Sequence, residues 1–452
     1  ASLQGTASTA EKNGDVAHGG QREFVEYNYG TISNITVQNS ELGSAGLVYQ
    51  NGDVSENVVS IKSTETDNNP RKYQWIQEIG DNVCQYGTKK SYEANTEILS
   101  GTIEKCVVQD SSIIGAGIVW KNIGGNVKET KVKKCSSIGY VGTVAYNQAT
   151  HVEVPTWTIE YKYKYQNKQQ DVPDELLKTH QLPIKEESTT KISVSVDAII
   201  ETCQVIDCNV KGSGFVGENT VNTVGSSADN NSGAKAKISN CQVYGTSSYS
   251  DMKIGSSSGA ADVNEVAGFV GNNGKGAEIE NCSVTGQVGG LNNVAGFALT
   301  NAGTITGSYA NTKITCEGNQ GTMLSGFVLT NTGTIDRSHS LGEESCKQVS
   351  PGADNRAAGF VVSNQKATDS STNAVIRNSY AAMWKLELNG TEYVLFGSKD
   401  SPSGAGSYEN CYAMKLSADD GYSGTYPAVS APGITYVSGG ELKKKCNDCL
   451  GN

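Results

Sequence analysis

The sequence has few aromatic residues, few prolines, no long apolar run and no cluster of basic residues. Aromatics make up 7% of the 452 residues, Pro occurs 8 times and His 4 times. No stretch of 18 apolar residues is present, which excludes a membrane-spanning helix. The 36 basic and 47 acidic side chains leave a net charge of −11. Because this charge repels phosphates, we expect no nucleic-acid partner.

Glycine and small polar residues are abundant instead, and they follow a repeat. The 52 Gly, together with many Asn, Ser and Thr, favour short strands joined by turns. The clearest copies are AGFVGNNGKGAEIENCSVTG from Ala267, AGFALTNAGTITGSYA from Ala295 and SGFVLTNTGTIDRSHS from Ser325. Their glycines, at 268, 296, 326 and 359, lie 28, 30 and 33 residues apart. This period is typical of stacked repeat proteins.

We therefore predict an all-β fold, a parallel β-helix or β-solenoid, in which each rung stacks on the one before it. A right-handed coil is the expectation from strand twist. The repeat length leaves about ten to thirteen rungs. The predicted organisation is a polar N-terminal segment or cap at 1–29, the solenoid at 30–440 and a charged tail at 441–452. The solenoid is interrupted by two insertions, at about 62–99 and 151–191. It also contains a predicted hairpin at about 384–397, around Asn389-Gly390.

Residues in equivalent positions of successive rungs should form columns inside the solenoid. The Gly after each opening small residue permits a close approach of the backbone, and the Asn that follows suits a turn. The predicted phenylalanine column is Phe215, Phe269, Phe297, Phe327 and Phe360, and the predicted turn asparagines are Asn272, Asn301, Asn331 and Asn364.

Five cysteines stand three residues after an Ile or Val, in a position that other copies fill with Ser. We interpret this position as a column of small buried side chains, in which free Cys behaves as a small hydrophobe; disulfides are the alternative. Parallel side chains one strand apart make poor disulfide geometry. The column comprises Cys106, Cys135, Cys203, Cys241 and Cys282, whereas Cys84, Cys208, Cys316, Cys346, Cys446 and Cys449 fall outside it and their pairing is undetermined.

The second insertion contains a strand pattern with one aromatic and one charged face. One interpretation is that its aromatic side chains pack on the flank of the solenoid. The other is that they project as a binding surface, since aromatic residues that carry a polar group are enriched at interfaces. Its candidate binding residues are Trp157, Tyr161, Tyr163 and Tyr165.

Catalytic and metal-binding patterns are weak. Gly255 to Gly259 has the letters of a nucleophile elbow without the strand and helix it needs. Cys446 and Cys449 form an isolated CxxC, too few ligands for zinc. Asp419-Asp420 or Asp229-Asn230-Asn231 could hold Ca²⁺, but no complete loop pattern is present. We therefore expect no enzyme activity and no obligatory cofactor.

The openings AGFVGNN, AGFALTNAGTI and SGFVLTNTGTI resemble the GLUG-motif repeat, and GITYVSGGELKK from Gly433 is similar to the segment that often follows it. This family occurs in secreted and surface-anchored bacterial proteins, including adhesin-like proteins and the amino-terminal region of immunoglobulin A1 metalloproteases. The zinc-binding His-Glu-x-x-His of those proteases is missing among His18, His151, His180 and His339.

The resemblance implies a secreted or cell-surface location and a non-catalytic, adhesin-like or scaffold role. The expected partner is a protein or glycan on a host or neighbouring cell, with self-association through the solenoid ends as a further possibility. The alternatives are a carbohydrate-active β-helix enzyme, which would need convergent carboxylates on one face, and an accessory region of a secreted protease. We also expect the chain to be part of a longer protein, or its open end to be covered by a neighbour.

Overall fold

The computed structural model describes fifteen stretches of the chain. In some strands of the insertions and in a few strand and helix ends it gives the backbone alone. The described stretches are residues 2–4, 24–53, 59–64, 76–77, 83–96, 99–166, 184–224, 233–255, 263–316, 322–346, 356–366, 374–388, 392–397, 406–415 and 432–450.

Within these stretches the chain coils through ten rungs, each of which contributes one short strand to a parallel sheet, sheet 1. Equivalent residues face one another in register, as Ile103 with Val127 and Ile279 with Ile305. The prediction of a parallel β-helix is confirmed. The strands of sheet 1 are Thr31–Ser33, Thr102–Glu104, Asn126–Lys128, Ala198–Glu201, Ala236–Ser239, Glu278–Glu280, Thr304–Thr306, Thr334–Asp336, Val375–Arg377 and Ser407–Glu409.

Sheet 2 lies on the next side of the coil and changes along its length. In the early rungs it consists of two short strands per rung, whereas one strand of 8 or 9 residues replaces them in the four rungs that begin at Ser283, Tyr309, His339 and Tyr380. Its strands are Ser2–Gln4, Thr36–Gln38, Glu41–Leu42, Val107–Gln109, Ser112–Ile113, Lys131–Lys133, Ser137–Ile138, Gln204–Ile206, Asn209–Val210, Gln242–Tyr244, Lys253–Gly255, Ser283–Gly290, Tyr309–Cys316, His339–Cys346, Tyr380–Leu388, Cys411–Met414 and Ile434–Val437.

Sheets 3 and 4 complete the coil. Sheet 4, on the later rungs, comprises Glu265–Ala267, Asn293–Ala295, Met323–Ser325, Arg356–Ala358 and Glu392–Val394. Sheet 3 comprises Val25–Asn28, Val48–Asn51, Val119–Ile123, Val144–Gln166, Val216–Val224, Val270–Asn273, Ala298–Asn301, Val328–Asn331 and Val361–Asn364, with Val59–Thr64, Ile76–Gln77, Val83–Thr96 and Ile184–Val196 attached from the insertions.

The phenylalanines form a continuous stack in the core. Neighbouring rings from Phe215 to Phe360 are 4.7–4.8 Å apart between centroids and nearly parallel, and every ring is fully buried. Phe396, which the sequence analysis did not include, extends the stack by one ring at 4.7 Å. The spacing matches that of strands in a sheet, so the stack follows directly from the rung register.

The glycine before each phenylalanine is required by close packing between rungs. A Cβ added to Gly268 would lie 1.9 Å from the carbonyl oxygen of Gly296, and one added to Gly296 would lie 2.1 Å from that of Gly326. The expected close approach of the backbone is therefore present at these positions, and a larger residue would force the rungs apart.

The small-residue column lies at a corner where the backbone is in the left-handed region. The residue preceding the column has a positive φ, for example 55° at Thr202 and 53° at Asn281. The column side chains then bridge the corner: the Cys203 N–H donates to Cys241 Sγ at 3.4 Å, and the Cys282 N–H donates to Ser308 Oγ at 3.1 Å. The position thus selects a small side chain that can accept a hydrogen bond, rather than small size alone.

Cys135 does not belong to this column, so its assignment from sequence was wrong. Val132 pairs with Val205 in sheet 2, and the equivalent of Cys106 in this rung is Thr130, whose hydroxyl donates to Cys203 Sγ at 3.2 Å. Cys135 lies at the next corner instead, where its N–H donates to Cys208 Sγ at 3.4 Å. Two corners share the same local pattern, which made them indistinguishable by spacing. Cys106, Cys135, Cys203, Cys208, Cys241 and Cys282 are all free and buried.

The asparagines form a buried ladder instead of turns. Each side-chain amide donates to the amide oxygen of the next rung, at 2.7–2.9 Å, from one end of sheet 3 to the other. The ladder uses Asn273 rather than Asn272, which pairs with Thr300 on the outer side. Its members are Asn28, Asn51, Asn122, Asn147, Asn219, Asn273, Asn301, Asn331 and Asn364, all of them buried.

The predicted hairpin at 384–397 is also wrong. Tyr380–Leu388 pairs in parallel with His339–Cys346 in sheet 2, whereas Glu392–Val394 pairs with Arg356–Ala358 in sheet 4. The two strands therefore belong to one further rung and do not pair with each other. Asn389-Gly390 lies outside the described residues. Register with the preceding rung determines the pairing here, despite a local signal for a hairpin turn.

The segment predicted as a charged tail contains a helix, Gly439–Leu450. Ser438 and Glu441 form a capping box, because the Ser438 N–H donates to Glu441 Oε2 at 3.0 Å and the Glu441 N–H donates to Ser438 Oγ at 3.4 Å. Leu442 packs against Tyr380 and Val437, so the helix covers part of the outer side of sheet 2. At the other end, Ser2–Gln4 pairs with Thr36–Gln38.

The asparagine ladder gives a first prediction. Asn273→Ala should lower the free energy of unfolding by about 2 to 4 kcal/mol, because it leaves a buried donor on Asn219 and a buried acceptor on Asn301. Asn272→Ala, one residue away and half-buried, should cost less than about 1 kcal/mol. Urea unfolding followed by circular dichroism measures both. Equal losses in the two variants would contradict a structural role for the ladder.

The corner column gives a second prediction. Cys241→Ala removes the acceptor of the Cys203 N–H and should destabilise the fold by about 1 to 2 kcal/mol. Cys241→Ser keeps an acceptor, as Ser379 does for the Ser338 N–H at 3.2 Å, and should cost less than about 1 kcal/mol. The same unfolding measurement compares them. If Ala is tolerated as well as Ser, side-chain size alone defines the column.

Candidate binding surfaces

The two insertions form one antiparallel sheet that leaves the solenoid along sheet 3. The strand Val144–Gln166 pairs in parallel with its neighbouring rungs only as far as Ala149. From Thr150 it pairs with Ile184–Val196 of its own insertion, and from Trp157 it also pairs with Val83–Thr96 of the other insertion. We call these three strands the projecting sheet. At ~3.3 Å per residue, the 17 residues of its central strand after Ala149 extend over about 55 Å.

The predicted binding residues occupy this central strand. Trp157, Tyr161, Tyr163 and Tyr165 stand at alternate positions, as the sequence pattern indicated, and their side chains lie outside the described part of the structure. The backbone register sets Tyr92 opposite Trp157 and Tyr86 opposite Tyr163. Aromatic residues of the first insertion therefore share register positions with those of the second, which separate inspection of the two segments could not reveal.

A second group of aromatic side chains lies on the outer side of sheet 3, in the first four rungs. Trp120 contacts Tyr140 and Tyr146, with ring centroids 5.4 and 5.7 Å apart. In the earlier rungs, Lys121 Nζ lies 5.9 Å from the ring centroid of Tyr49, and two further tyrosines stack at 6.2 Å. We call Tyr27, Tyr29, Tyr49, Trp120, Tyr140 and Tyr146 the aromatic strip; the sequence analysis missed it, although equivalent positions in aligned rungs carry the signal.

Small residues beneath the rings hold the strip in place. Trp120 and Tyr146 pack against Ala145 and the neighbouring corner residues. A Cβ added to Gly217 would lie 3.3 Å from Tyr140 Cε1, so that ring lies beside the missing side chain. The rings are thus fixed by packing, while Tyr27, Tyr29 and Tyr140 remain 48, 42 and 37% exposed.

Polar groups line the strip on one side. Lys121, Tyr146 and Glu218 are register partners in three successive rungs. Burial, the nearby Tyr146 hydroxyl and the Glu218 charge together raise the pKa of Tyr140 to about 12. Tyr140 therefore keeps its proton at neutral pH and can donate a hydrogen bond.

Several carboxylates on the outer side of sheet 1 form ion pairs with basic side chains of neighbouring rungs. Glu280 meets Lys237 at 2.8 Å, and Asp336 meets Arg377 at 3.3 Å. The Lys237 ammonium lowers the pKa of Glu280 by hydrogen bonding and charge. A general acid needs a raised pKa, so this carboxylate is poorly suited to acid catalysis.

Two titratable side chains away from these surfaces have strongly shifted pKa values. Glu344 lies inside the solenoid with both carboxyl oxygens unpartnered, in register with Ile314 and Leu386, and burial raises its pKa well above the usual value. His339 stacks between Tyr309 and Tyr380 at 5.0 and 4.6 Å, and burial lowers its pKa to about 4. Strongly shifted pKa values also mark catalytic sites, but Glu344 is enclosed by the coil and 0% exposed.

The described residues contain no group of His, Cys, Asp and Glu that could hold a metal ion. The two acidic segments considered for Ca²⁺, Asp229-Asn230-Asn231 and Asp419-Asp420, lie outside those residues, as does most of the serine-rich stretch after Gly255. Cys446 and Cys449 lie within the C-terminal helix.

The rung that contains Gly268 and the Cys282 corner carries the family signal. Residues 263–289 match the family described as the GLUG motif. This rung therefore carries a GLUG motif. The matched segment covers the strands Glu265–Ala267, Val270–Asn273 and Glu278–Glu280 and most of Ser283–Gly290, so one GLUG motif corresponds to one turn of the coil. No curated protein and no solved structure matches the chain. No helix in the described stretches is long and apolar enough to cross a membrane.

Glu344 gives a prediction on pH. Below about pH 4.5 the carboxyl of Glu344 is protonated in both the folded and the unfolded chain. Above that pH it ionises in the unfolded chain but keeps its proton in the folded protein. The free energy of unfolding therefore falls as the pH rises towards the folded-state pKa of Glu344. Glu344→Leu, which continues the apolar column of Ile314, removes this decline. Its advantage over the natural protein should grow from pH 7 to pH 8 by up to about 1.4 kcal/mol.

The measurement is urea unfolding at each pH. Glu343→Leu is the matched control: Glu343 is partly exposed and lies 3.7 Å from Lys313, and its removal should change stability by less than about 1 kcal/mol. His339 has the opposite effect on the pH dependence of stability, because burial lowers its pKa to about 4 in the folded protein. Its contribution to the free energy of unfolding is complete above pH 6.5 and is lost as the pH falls towards 4. A constant difference between Glu344→Leu and the natural protein across pH 7 to 8 would refute a buried neutral carboxyl.

Proposed function

We propose that this repeat protein is a non-catalytic scaffold on the outside of a bacterial cell. In this role the solenoid acts as a rigid support, and the projecting sheet carries the surface that binds a protein or glycan on a host or neighbouring cell. The single observation that supports the role is the strand Val144–Gln166, which starts as part of a rung and continues as the centre of the projecting sheet.

This connection favours display over flexible attachment. The central strand is continuous from the buried Val144 to Gln166, so no loop separates the support from the displayed part. Its pairing with strands from both insertions adds two further connections to the solenoid. A preorganised surface loses less conformational entropy on binding than a flexible one, which suits a protein that engages a partner at a distance from its own body.

The alternative of a carbohydrate-active enzyme receives less support. Such an enzyme needs two carboxyl groups facing one substrate, one of them with a raised pKa. Glu280 and Asp336 on sheet 1 are paired with basic side chains, and Glu344 is enclosed by the coil. An accessory region of a secreted protease would use the same scaffold and therefore belongs to the same proposal.

The test is a chain in which the projecting sheet is shortened without disturbing the rungs. Ser60 faces Asn95 and Val152 faces Val194 across antiparallel pairs, so each hairpin can be closed there by an Asn-Gly turn. The shortened chain should keep its β-sheet circular dichroism and melting temperature. It should lose binding to immobilised host cells and matrix proteins that the full chain binds.

A second variant controls for the new turns. The connection between Lys366 and Ala374 joins two strands of the solenoid, Val361–Asn364 and Val375–Arg377, and residues 367–373 within it can be replaced by the same Asn-Gly pair. That variant should bind as the full chain does. Retention of binding in the shortened chain, or absence of any binding by the full chain, would refute the proposed role of the projecting sheet.

A further inference from the structure

The aromatic strip is distinct from the projecting sheet and is confined to one part of sheet 3. Its rings occupy the first four rungs, with Tyr49, Trp120 and Tyr146 in three successive strands. In the later rungs, the outer positions equivalent to Tyr146 carry Glu218, Asn272, Thr300, Thr330 and Ser363. Because the repeat itself does not require aromatic residues there, their concentration needs another explanation.

The spacing of the strip suits a chain of sugar rings. Successive rungs are ~4.8 Å apart, so the four rungs extend over about 14 Å along the solenoid axis. One rung is close to the length of one pyranose unit, and a pyranose presents an apolar face of C–H groups that packs on an aromatic ring. A short oligosaccharide lying along the axis would therefore place one sugar near each rung.

The area of the strip favours a small ligand over a protein. Three of its rings are 37 to 48% exposed and the others are half-buried. With side-chain areas of about 150–250 Å², the six residues expose on the order of 400 Å². A stable protein interface needs about 800 Å² from each partner.

The charges beside the strip favour a neutral ligand. Lys121 and Glu218 flank Tyr146 in adjacent rungs, and the carboxylates of Glu26 and Asp53 lie near Tyr27, so the strip is bordered by one positive and three negative groups. Together with the Tyr146 and Tyr140 hydroxyls and the Gln50 amide, they offer both donors and acceptors to hydroxyl groups. An anionic sugar would gain from Lys121 but be repelled by Glu218 and by the net charge of −11.

We propose that the aromatic strip is a binding site for the pyranose rings of a neutral glycan, with Trp120 as its central platform and Lys121 and Glu218 as hydrogen-bonding groups to sugar hydroxyls. This inference rests on the proposed function as a binding scaffold and assigns a ligand class to a second surface of it. The two sites are separable, because the antiparallel pairing of the projecting sheet begins at Thr150, beyond the strand residues that carry the rings.

The experiment measures binding of neutral tri- and tetrasaccharides of β-linked glucose, galactose and N-acetylglucosamine by calorimetry and by quenching of tryptophan fluorescence. The full chain should bind at least one of them. Trp120→Ala should weaken that binding by at least about tenfold, whereas Trp120→Phe, which keeps a ring, should weaken it by no more than about threefold.

Two further variants keep the test independent of folding defects. Lys121→Ala leaves the rings in place and should weaken binding by about threefold or more. Tyr244→Ala, which removes a half-buried tyrosine from the outer side of sheet 2, should leave binding unchanged. Melting temperatures within a few degrees of the natural protein would show that the strip variants are folded.

The chain with the shortened projecting sheet distinguishes this inference from the proposed function. It should retain oligosaccharide binding while losing its cell or protein partner. Four outcomes would each overturn the glycan site. Two concern variants: loss of oligosaccharide binding in the shortened chain, or normal binding by Trp120→Ala and Lys121→Ala. Two concern the full chain: stronger binding of sialylated or sulfated sugars, or no binding of any neutral sugar.

Discussion

The structure depends on one constraint: each rung must satisfy the hydrogen-bonding groups of the next in strict register. Strand pairing meets this need along the flat sides, but at the corners the backbone turns through the left-handed region and the ladder is interrupted. Side chains complete the bonding there, as Cys241 does for Cys203 and Ser308 for Cys282. The asparagine ladder performs the same task inside sheet 3. Because an unsatisfied buried group is costly, these positions tolerate few residue types, and this restriction is what appears in the sequence as a repeat.

The same register explains where the fold departs from regularity. Tyr380–Leu388 contains one more residue than its partner strand, with the irregularity between Gly342 and Glu343. Gly342 has a φ of 116° and would clash with Thr312 if it carried a Cβ. Glu344, two residues after Gly342, is a buried carboxyl in register with apolar residues. This irregularity lies in the rungs where sheet 2 has longer strands, and the strict register between rungs is relaxed there.

Sequence reasoning could recover the fold because stacked columns repeat one chemical requirement many times. The phenylalanines, the glycines before them and the number of rungs were all accessible in this way. It failed where two different positions have the same local pattern, as with Cys106 and Cys135, and where register outweighed local preference, as at Trp384 to Gly397. The capping box at Ser438 and Glu441 was readable but was obscured by two glycines. The aromatic strip was hidden because its members are separated by insertions and become neighbours only when the rungs are aligned.

The stacking rule also determines where recognition can evolve. Inward positions and corners are fixed by their neighbours, so a change in one rung disturbs two others. Outward positions of the strands and the insertions between them carry no such restriction. Trp120 and Tyr146 occupy outward positions, and the projecting sheet arises from the rung of Tyr146 itself. Both surfaces lie at the same part of sheet 3, so a ligand bound to the aromatic strip would lie next to the base of the projecting sheet. Binding of a multivalent partner at one surface would therefore raise its effective concentration at the other.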